Sequence, residues 1–216
     1  QDEHDYAGKR WLIGVGGIRQ QFHWEDIDND PVRCAARARE IVERWRREQK
    51  PLLDRYGMRS WISFMEQANG KLPKTESEAV GWKAFWKALA GAVSNDVECV
   101  LFGNEGVGGY AAGYGPDDDL WKQTAFRGTL RQWVDDYRWM REGIKAANAG
   151  LDVGFAFAAD VEGSFTREFY SQFPGLKSEL WAMNGYVRPC EMIRTCRSAM
   201  GEENARGRYV ILPEFG

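Results

Sequence analysis

The sequence predicts an α/β protein built around a parallel β-sheet. Short apolar runs rich in β-branched and aromatic residues alternate with longer segments whose apolar residues recur at helical spacing. Strands that alternate with helices form βαβ units, in which a crossover helix joins two parallel strands. The six predicted strands cover 18–24, 58–65, 98–104, 153–159, 179–187 and 208–215.

Helical segments fill the stretches between these runs, and a further helix is expected near the start of the chain, in "DYAGKRWLIG". In one of them the apolar stripe is formed by Trp82, Phe85, Trp86 and Leu89. A stripe at this spacing predicts a helix with one buried face. The predicted helices between the strands cover 32–57, 76–93, 129–150, 166–173 and 190–200.

Polar side chains at the ends of the runs distinguish two ways of closing the sheet. They are His23 or Glu25, Glu66, Asn104 with Glu105, Asp160, Asn184 and Glu214. In a (β/α)8 TIM barrel the carboxyl ends of all strands open on one face, so these groups would converge. An open doubly wound sheet would focus them at one switch point only. The pattern therefore favours the barrel.

The length of the chain sets how much of a barrel to expect. A barrel of this type usually has about 250 residues, whereas the chain has 216. Only six strands are visible, and the first and last strands of a barrel are not among them. We therefore expect one domain over residues 1–216, an incomplete barrel that runs from the first helix to the seventh strand and shows about six βα units. The alternatives are that the other strands come from elsewhere or that the sheet is open.

Composition excludes several classes of partner. The formal net charge is −3 and 44% of the residues are apolar, so nothing indicates affinity for nucleic acid. No run of about 20 apolar residues predicts a membrane span. The N-terminal "QDEHDYAGKR" has no signal-peptide core, but a mature secreted chain would look the same, so secreted and cytoplasmic locations both stay open. The oligomeric state is equally open.

The four cysteines do not indicate a metal site. Cys99 lies in the apolar run "ECVLF" and is expected to be buried. Cys190 and Cys196 have no histidine near them, and their spacing does not decide whether they form a disulfide.

Two glutamates lie at the ends of predicted strands, where they are candidates for catalytic residues. Glu105 follows an apolar run in "LFGNEGVGG", beside Asn104 and before glycines that allow a sharp turn, and Glu214 ends the run "VILPEFG". They lie 109 residues apart, on the predicted fourth and seventh strands of eight, and can face one another across a barrel mouth. Glycosidic bond cleavage needs such a pair, one carboxyl protonated and one ionised.

These two motifs resemble those of the clan A glycoside hydrolases, which are retaining enzymes with a (β/α)8 barrel. "FGNEG" is similar to the end of that family's fourth strand and "ILPEFG" to the end of its seventh. The resemblance implies that Glu105 is the acid/base and Glu214 the nucleophile. It also implies that Asn104 orients the 2-hydroxyl of the sugar ring.

The resemblance extends to the second strand. "GGIRQQFHWEDID" is similar to the family's second strand, with Arg19 and Trp24 at matching positions. By this resemblance Arg19 lies near Glu214 and keeps it ionised, since a nearby cation lowers the pKa of a carboxyl. We expect Trp24 to stack on a sugar. His23 is a candidate for a bond to a sugar hydroxyl or for a purely structural role.

The sixth strand carries a match and a departure. In "NGYV", Tyr186 stands at the position of the family's tyrosine that contacts the nucleophile. Asn184 stands where the family often has a histidine.

A long loop, 106–128, follows the fourth predicted strand and contains Tyr110, Tyr114 and Trp121. Long loops in compact domains are usually either functional or disordered. Its aromatic residues either line sugar subsites, as we expect for Trp121, or anchor an insertion.

The leading interpretation is a retaining glycoside hydrolase that acts on a carbohydrate and needs no cofactor or metal. One alternative is a metal-dependent barrel enzyme, a sugar isomerase or lyase, whose oxygen ligands would be Glu66, Glu105, Asp160 and Glu214. The presence of only two histidines counts against it. A second alternative is a catalytically inactive carbohydrate-binding fragment.

Overall fold

Strands and helices alternate throughout the described chain. The structure is a computed structural model that describes residues 29–55, 60–64, 72–93, 95–103, 107, 113–120, 128–157, 160–183, 189–205 and 209–211. The helices are α1 Pro31–Glu48, α2 Lys50–Arg55, α3 Ala79–Val93, α4 Leu130–Ala147, α5 Ser164–Gln172 and α6 Pro189–Ala205. The strands are β1 Ser60–Phe64, β2 Val97–Phe102, β3 Asp152–Phe157, β4 Leu180–Met183 and β5 Tyr209–Ile211.

The five strands form one sheet in the order β1-β2-β3-β4-β5, which is their order along the chain. The pairs β3–β4 and β4–β5 are parallel, with Ala156 opposite Ala182 and Leu180 opposite Tyr209. A doubly wound sheet reverses its strand order at the switch point, and no reversal occurs between β1 and β5. The predicted α/β class with a parallel sheet is therefore confirmed. Strands β1–β5 correspond to the second through sixth of the six predicted strands, which are the third through seventh of an eight-stranded barrel.

The remaining predicted elements agree in part. The run 18–24 and the helix in "DYAGKRWLIG" lie outside the described residues. The single helix expected over 32–57 is wrong, because the structure has two helices that meet at Gln49. Pro51, in the first turn of α2, has no N–H to continue the hydrogen bonding of α1. No described helix is both long enough and apolar enough to cross a membrane.

The chain divides into two compact units, each with its own buried residues. The first comprises Gln1–Ser63, Lys71–Val100 and Asp135–Leu151. Within it α1 packs against α3. The apolar stripe predicted for α3 is confirmed, because all four of its side chains are buried. The facing stripe of α1 consists of Cys34, Ala38, Ile41, Val42 and Trp45.

Hydrogen bonds and one close approach orient the helices of this first unit. The Asp30 carboxylate accepts the N–H groups of Val32 and Arg33 at 2.8 and 3.2 Å and so caps α1. These two bonds lower the pKa of Asp30, and the bond from Arg33 has the larger effect. Gly143 of α4 lies so close to α3 that a Cβ there would be 2.5 Å from the carbonyl oxygen of Lys83.

The second unit comprises Phe64–Gly70, Leu101–Val134 and Asp152–Gly216, and its core is aromatic. One face of its strands packs on helix side chains in an arrangement that we call the aromatic layer. The aromatic layer consists of Phe102, Trp133, Phe155, Phe157, Phe165, Phe169 and Trp181. Trp133 stacks on Phe155 with ring centroids 5.0 Å apart, and Phe157 lies 4.3 Å from Trp181. Such pairs contribute about 0.5–1.5 kcal/mol each beyond the burial of apolar area.

Small residues alternate with the aromatic ones along β3 and β4. Gly154 precedes Phe155 on β3, Ala156 lies between Phe155 and Phe157, and Ala182 follows Trp181 on β4. Gly154 lies opposite Leu180, and a Cβ at residue 154 would be 2.4 Å from both the Cβ and the carbonyl oxygen of Leu180. The two strands can therefore pair this closely only because residue 154 has no side chain.

This close approach generates a stability prediction. We expect Gly154→Ala to lower the free energy of unfolding by about 1–3 kcal/mol, because the added methyl group forces β3 and β4 apart. Urea denaturation of the two proteins measures the difference. Gly150→Ala is the matched control, since the nearest atom to its added methyl is 3.7 Å away. Equal stability of Gly154→Ala and the parent chain would contradict the strand packing described here.

Candidate functional site

The two predicted catalytic residues come shortly after strands of the sheet in the sequence. Glu105 comes three residues after Phe102, the last residue of β2, and Glu214 three residues after Ile211, the last residue of β5. The whole predicted site lies outside the described residues: Arg19, His23, Trp24, Asn104, Glu105, Trp121, Tyr186 and Glu214. What the structure describes is the scaffold from which these segments leave, and their roles remain predictions.

The end of β2 is held by aromatic contacts. Phe102 stacks on Phe64, the last residue of β1, with centroids 5.7 Å apart and ring planes inclined by 9°. On its other side Phe102 contacts Trp133 of α4 at 5.0 Å. All three side chains are fully buried. A strand end packed in this way is a rigid base for a catalytic residue.

A glycine with positive φ follows the last residue of β2. Gly103 has φ of +90°, a conformation that side-chain-bearing residues rarely adopt. It is the residue immediately before Asn104 and Glu105. The first glycine of "FGNEG" is therefore explained by the positive φ of the backbone at the residue after β2.

The described part of the loop after β2, residues 113–120, is anchored on two helices. The Gly113 N–H donates to the Glu168 carboxylate of α5 at 2.5 Å, and the Gln172 side-chain amide donates to the Tyr114 carbonyl at 2.9 Å. At the start of α4, the Arg131 guanidinium donates to both oxygens of Asp117, at 2.6 and 3.0 Å. This hydrogen-bonded pair lowers the pKa of Asp117.

Apolar anchors and a short bridge complete the attachment of this loop. Val107 and Leu120 are fully buried. The Leu120 N–H donates to the carbonyl of Gly128 at 3.0 Å, next to a bridge between Asp119 and Thr129. The described loop is thus held by specific contacts, which sequence reasoning left open. Whether its aromatic residues line a sugar subsite remains a prediction.

Asp160 has a structural role that the metal hypothesis did not anticipate. It is 3% exposed, and its carboxylate accepts the N–H and hydroxyl of Thr166 at 2.8 and 2.6 Å and the N–H of Phe165 at 3.3 Å. These donors belong to the first turn of α5, whose N–H groups have no partner inside the helix. A metal ion bound to Asp160 would have to replace these hydrogen bonds.

The other proposed metal ligands, Glu66, Glu105 and Glu214, lie outside the described residues. Within the described ranges, no three His, Cys, Asp or Glu side chains are grouped so that they would hold a metal ion. Asp160 lies four residues before the first residue of α5 and not at its N-cap position, which Gly163 occupies, so the usual start signal of a helix did not reveal its capping role.

The cysteine question left open above is answered. Cys190 and Cys196 are both thiols, Cys190 exposed and Cys196 buried. The Cys196 Sγ–H donates to the carbonyl oxygen of Asp160 at 3.6 Å, and Thr166 Oγ1 lies 3.9 Å from the sulfur. Burial, with the nearby Asp160 charge, raises the pKa of Cys196 to about 12. Cys99 is buried, as predicted.

This environment predicts selective alkylation. We expect iodoacetamide at pH 8 to label Cys190 in the folded protein and to leave Cys196 unlabelled. The thiolate is the reactive species, and with its raised pKa roughly one Cys196 in ten thousand is ionised at that pH. Peptide mass spectrometry locates the label, and urea-unfolded protein, in which all four cysteines react, is the control. Rapid labelling of Cys196 in the folded state would refute its burial.

Comparison with known proteins finds similarity in structure only. No family model and no curated protein sequence matches the chain. A glucosidase from Croceicoccus marinus has a TM-score of 0.59 at 16% identity, over 94% of this chain and 44% of its own. The β-glycosidase BGL167 has a TM-score of 0.55 at 13% identity, and the match covers 99% of this chain and 67% of BGL167. The GH53 catalytic domain of Ignisphaera aggregans has a TM-score of 0.53 at 15% identity, and the match covers 98% of this chain and 59% of that domain.

The extent and identity of these matches limit what they establish. The chain spans 44% of the length of the glucosidase and 59% of the GH53 domain. At 13–16% identity the likeness concerns the path of the backbone and not the reaction. The resemblance predicted from the sequence is confirmed at that level: the chain has the α/β TIM-barrel fold of clan A glycoside hydrolases and spans part of such a barrel.

Proposed function

We propose that the protein is a retaining glycoside hydrolase in which Glu105 is the acid/base and Glu214 the nucleophile. One observation carries the proposal: in a chain with the fold of known glycosidases, both glutamates follow the last residues of sheet strands. Active sites of TIM barrels lie at the carboxyl ends of the strands. The substrate is a carbohydrate, and the reaction requires no cofactor.

The strand order sets a geometric condition for this mechanism. β2 and β5 are separated by three strand-to-strand steps, or roughly 14 Å along a flat sheet. A retaining pair needs carboxyls about 5–5.5 Å apart. Two inward-pointing glutamates meet at that distance only if the sheet curves around a common axis, as it does in a closed barrel. The proposal therefore requires barrel curvature between these strands.

The proposed reaction is a double displacement. The ionised Glu214 attacks the anomeric carbon while protonated Glu105 gives its proton to the departing glycosidic oxygen, and the bond from carbon to that oxygen breaks. A glycosyl ester on Glu214 remains. Glu105, now a carboxylate, removes a proton from water, and the resulting hydroxide attacks the same carbon and releases Glu214.

The other predicted residues would adjust the ionisation of Glu214 or bind the sugar. Arg19 would keep Glu214 ionised, because its positive charge lowers the pKa of a neighbouring carboxyl, and Tyr186 would contact the same carboxylate. Asn104 would hold the 2-hydroxyl of the sugar, where hydrogen bonds strengthen in the transition state.

The outer parts of the sugar would be bound by aromatic and polar side chains. Trp24 and Trp121 present flat apolar faces on which sugar rings stack. His23 would donate or accept a bond with a hydroxyl. The metal-dependent alternative is less well supported, since the Asp160 carboxylate is already hydrogen-bonded to α5.

Substitution of the two glutamates tests the assignment. We expect Glu105→Gln and Glu214→Gln each to lower kcat/KM by at least about 10²-fold, because loss of a positioned proton donor or nucleophile removes its share of transition-state stabilisation. Hydrolysis of a panel of aryl glycosides measures this loss. Glu98→Gln is the matched control, an exposed acid on the same strand β2. Full activity of either site variant would exclude the pair.

The same assay separates the alternatives. Loss of activity on chelation would favour the metal-dependent enzyme. An inactive chain that binds oligosaccharides in calorimetry would favour the carbohydrate-binding fragment.

Stereochemistry provides a second test. We expect the first-formed sugar product to keep the anomeric configuration of the substrate, because two successive displacements at one carbon restore it. Proton NMR of the anomeric signal, recorded before mutarotation, identifies the product. An inverted product would contradict a nucleophilic role for Glu214 and imply a wider carboxyl separation.

A further inference from the structure

Helix α5 grips the loop after β2 at two consecutive residues. Glu168 and Gln172 are four residues apart and therefore lie on the same face of the helix. Glu168 accepts the Gly113 N–H at 2.5 Å, and Gln172 donates to the Tyr114 carbonyl at 2.9 Å. We call this pair of contacts the α5 clamp. The loop donates a hydrogen bond at Gly113 and accepts one at Tyr114, whereas α5 accepts at Glu168 and donates at Gln172. This order of donor and acceptor sets the direction as well as the position of the loop backbone.

The contacts of the α5 clamp are specific in chemistry and conformation. A hydrogen bond from a backbone N–H to an ionised carboxylate is stronger than one between neutral groups. Gly113 has φ of +85°, and no described atom lies within 4 Å of a Cβ built there. The glycine is thus required by backbone conformation and not by crowding. The bond of Gln172 is part-buried, whereas that of Glu168 is exposed.

The helix that carries the α5 clamp is itself firmly packed. Between the two clamp residues, Phe169 and Tyr170 face the core, with Phe169 0% exposed. Phe169 contacts Trp133 and Trp181 of the aromatic layer at 6.3 and 5.4 Å. The α5 clamp therefore ties the loop to a helix that packs on the aromatic layer.

The position of the α5 clamp relative to Glu105 gives it a functional meaning. Glu105 lies between Gly103, where the chain leaves β2, and Gly113, where α5 holds it. The ten-residue step between these glycines is anchored at both ends. Fixing the ends of a segment lowers the number of conformations it samples, and a catalytic group displaced by about 1 Å can lose 10²-fold in rate.

We propose that Glu168 and Gln172 are positioning residues that act through the loop after β2 on Glu105 and on the bound carbohydrate. This inference rests on the proposed glycosidase function. Neither residue touches the reacting atoms. They act by holding the backbone of Gly113 and Tyr114, so that the acid/base meets the glycosidic oxygen without a search through loop conformations.

Single and double substitutions in the full chain test the proposal. We expect Glu168→Ala to lower kcat/KM by about 10–100-fold on a glycoside that the parent chain hydrolyses, mostly through kcat. Glu168→Gln should recover most of this loss, because its amide oxygen still accepts the Gly113 N–H. The double variant Glu168→Ala with Gln172→Ala should show a smaller fold-loss of kcat/KM than the product of the two single losses, because both side chains hold the same loop. Arg167→Ala, an exposed neighbour on α5, is the control.

Hydrogen exchange separates this proposal from the proposed function. We expect faster amide exchange in peptides covering 104–120 for Glu168→Ala and parent-like exchange for Glu168→Gln and Arg167→Ala. Unchanged exchange and activity in Glu168→Ala would overturn the proposal, and so would equal losses in Glu168→Ala and Glu168→Gln. If the parent chain hydrolyses no glycoside, the proposed function fails and catalytic positioning fails with it. Exchange then still decides whether the α5 clamp orders the loop.

Discussion

The packing of strand aromatics against Trp133 is the interaction on which the second unit depends. Trp133, one turn into α4, contacts Phe102 of β2, Phe155 and Phe157 of β3 and Phe169 of α5 within 6.3 Å between ring centroids. One side chain thus joins two strands and two crossover helices. Because protein interiors are close-packed, a shift of this indole would be felt at every strand end that it contacts.

Glycines occupy the positions of the second unit at which a side chain would clash with a neighbouring strand or strain the backbone. Gly154 lets β3 pair closely with β4, because a Cβ at residue 154 would be 2.4 Å from Leu180, and in the same register Ala156 is paired with Ala182. Gly103 and Gly113 adopt positive φ at two points along the loop after β2. Bulky residues fill the core of the second unit, and glycines occupy positions at which the backbone conformation or a close neighbour excludes a side chain.

Buried polar groups in the described chain serve the fold more than they serve chemistry. Asp160 stands where a barrel would present a catalytic or metal-binding acid, yet its oxygens satisfy the first N–H groups of α5 and the Thr166 hydroxyl. Through its carbonyl it also accepts the thiol of Cys196 in α6. Its carboxylate oxygens are engaged, whereas a catalytic acid must be reachable by substrate. This difference is why the proposal relies on Glu105 and Glu214 and gives Asp160 no part in the reaction.

The sequence by itself determined the class of the fold, the order of its elements and the buried faces. The stripe through Trp82, Phe85, Trp86 and Leu89 and the apolar runs of β1–β5 were legible because periodicity is a local property. Local patterns were less reliable at element boundaries. They missed the break at Gln49, and they began α5 two residues late because Asp160 caps that helix from outside the helical pattern.

The candidate site was reached from the sequence only as a set of residue types at strand ends, supported by a resemblance. The tertiary structure alone decided which side chains meet. No pattern in the sequence relates Gly113 to Glu168, which are 55 residues apart, or Cys196 to Asp160, which are 36 apart. Such contacts depend on how the strands align in the sheet and how the helices pack on it. That arrangement is fixed by close approaches such as Gly154 to Leu180, which exist only once the chain has folded.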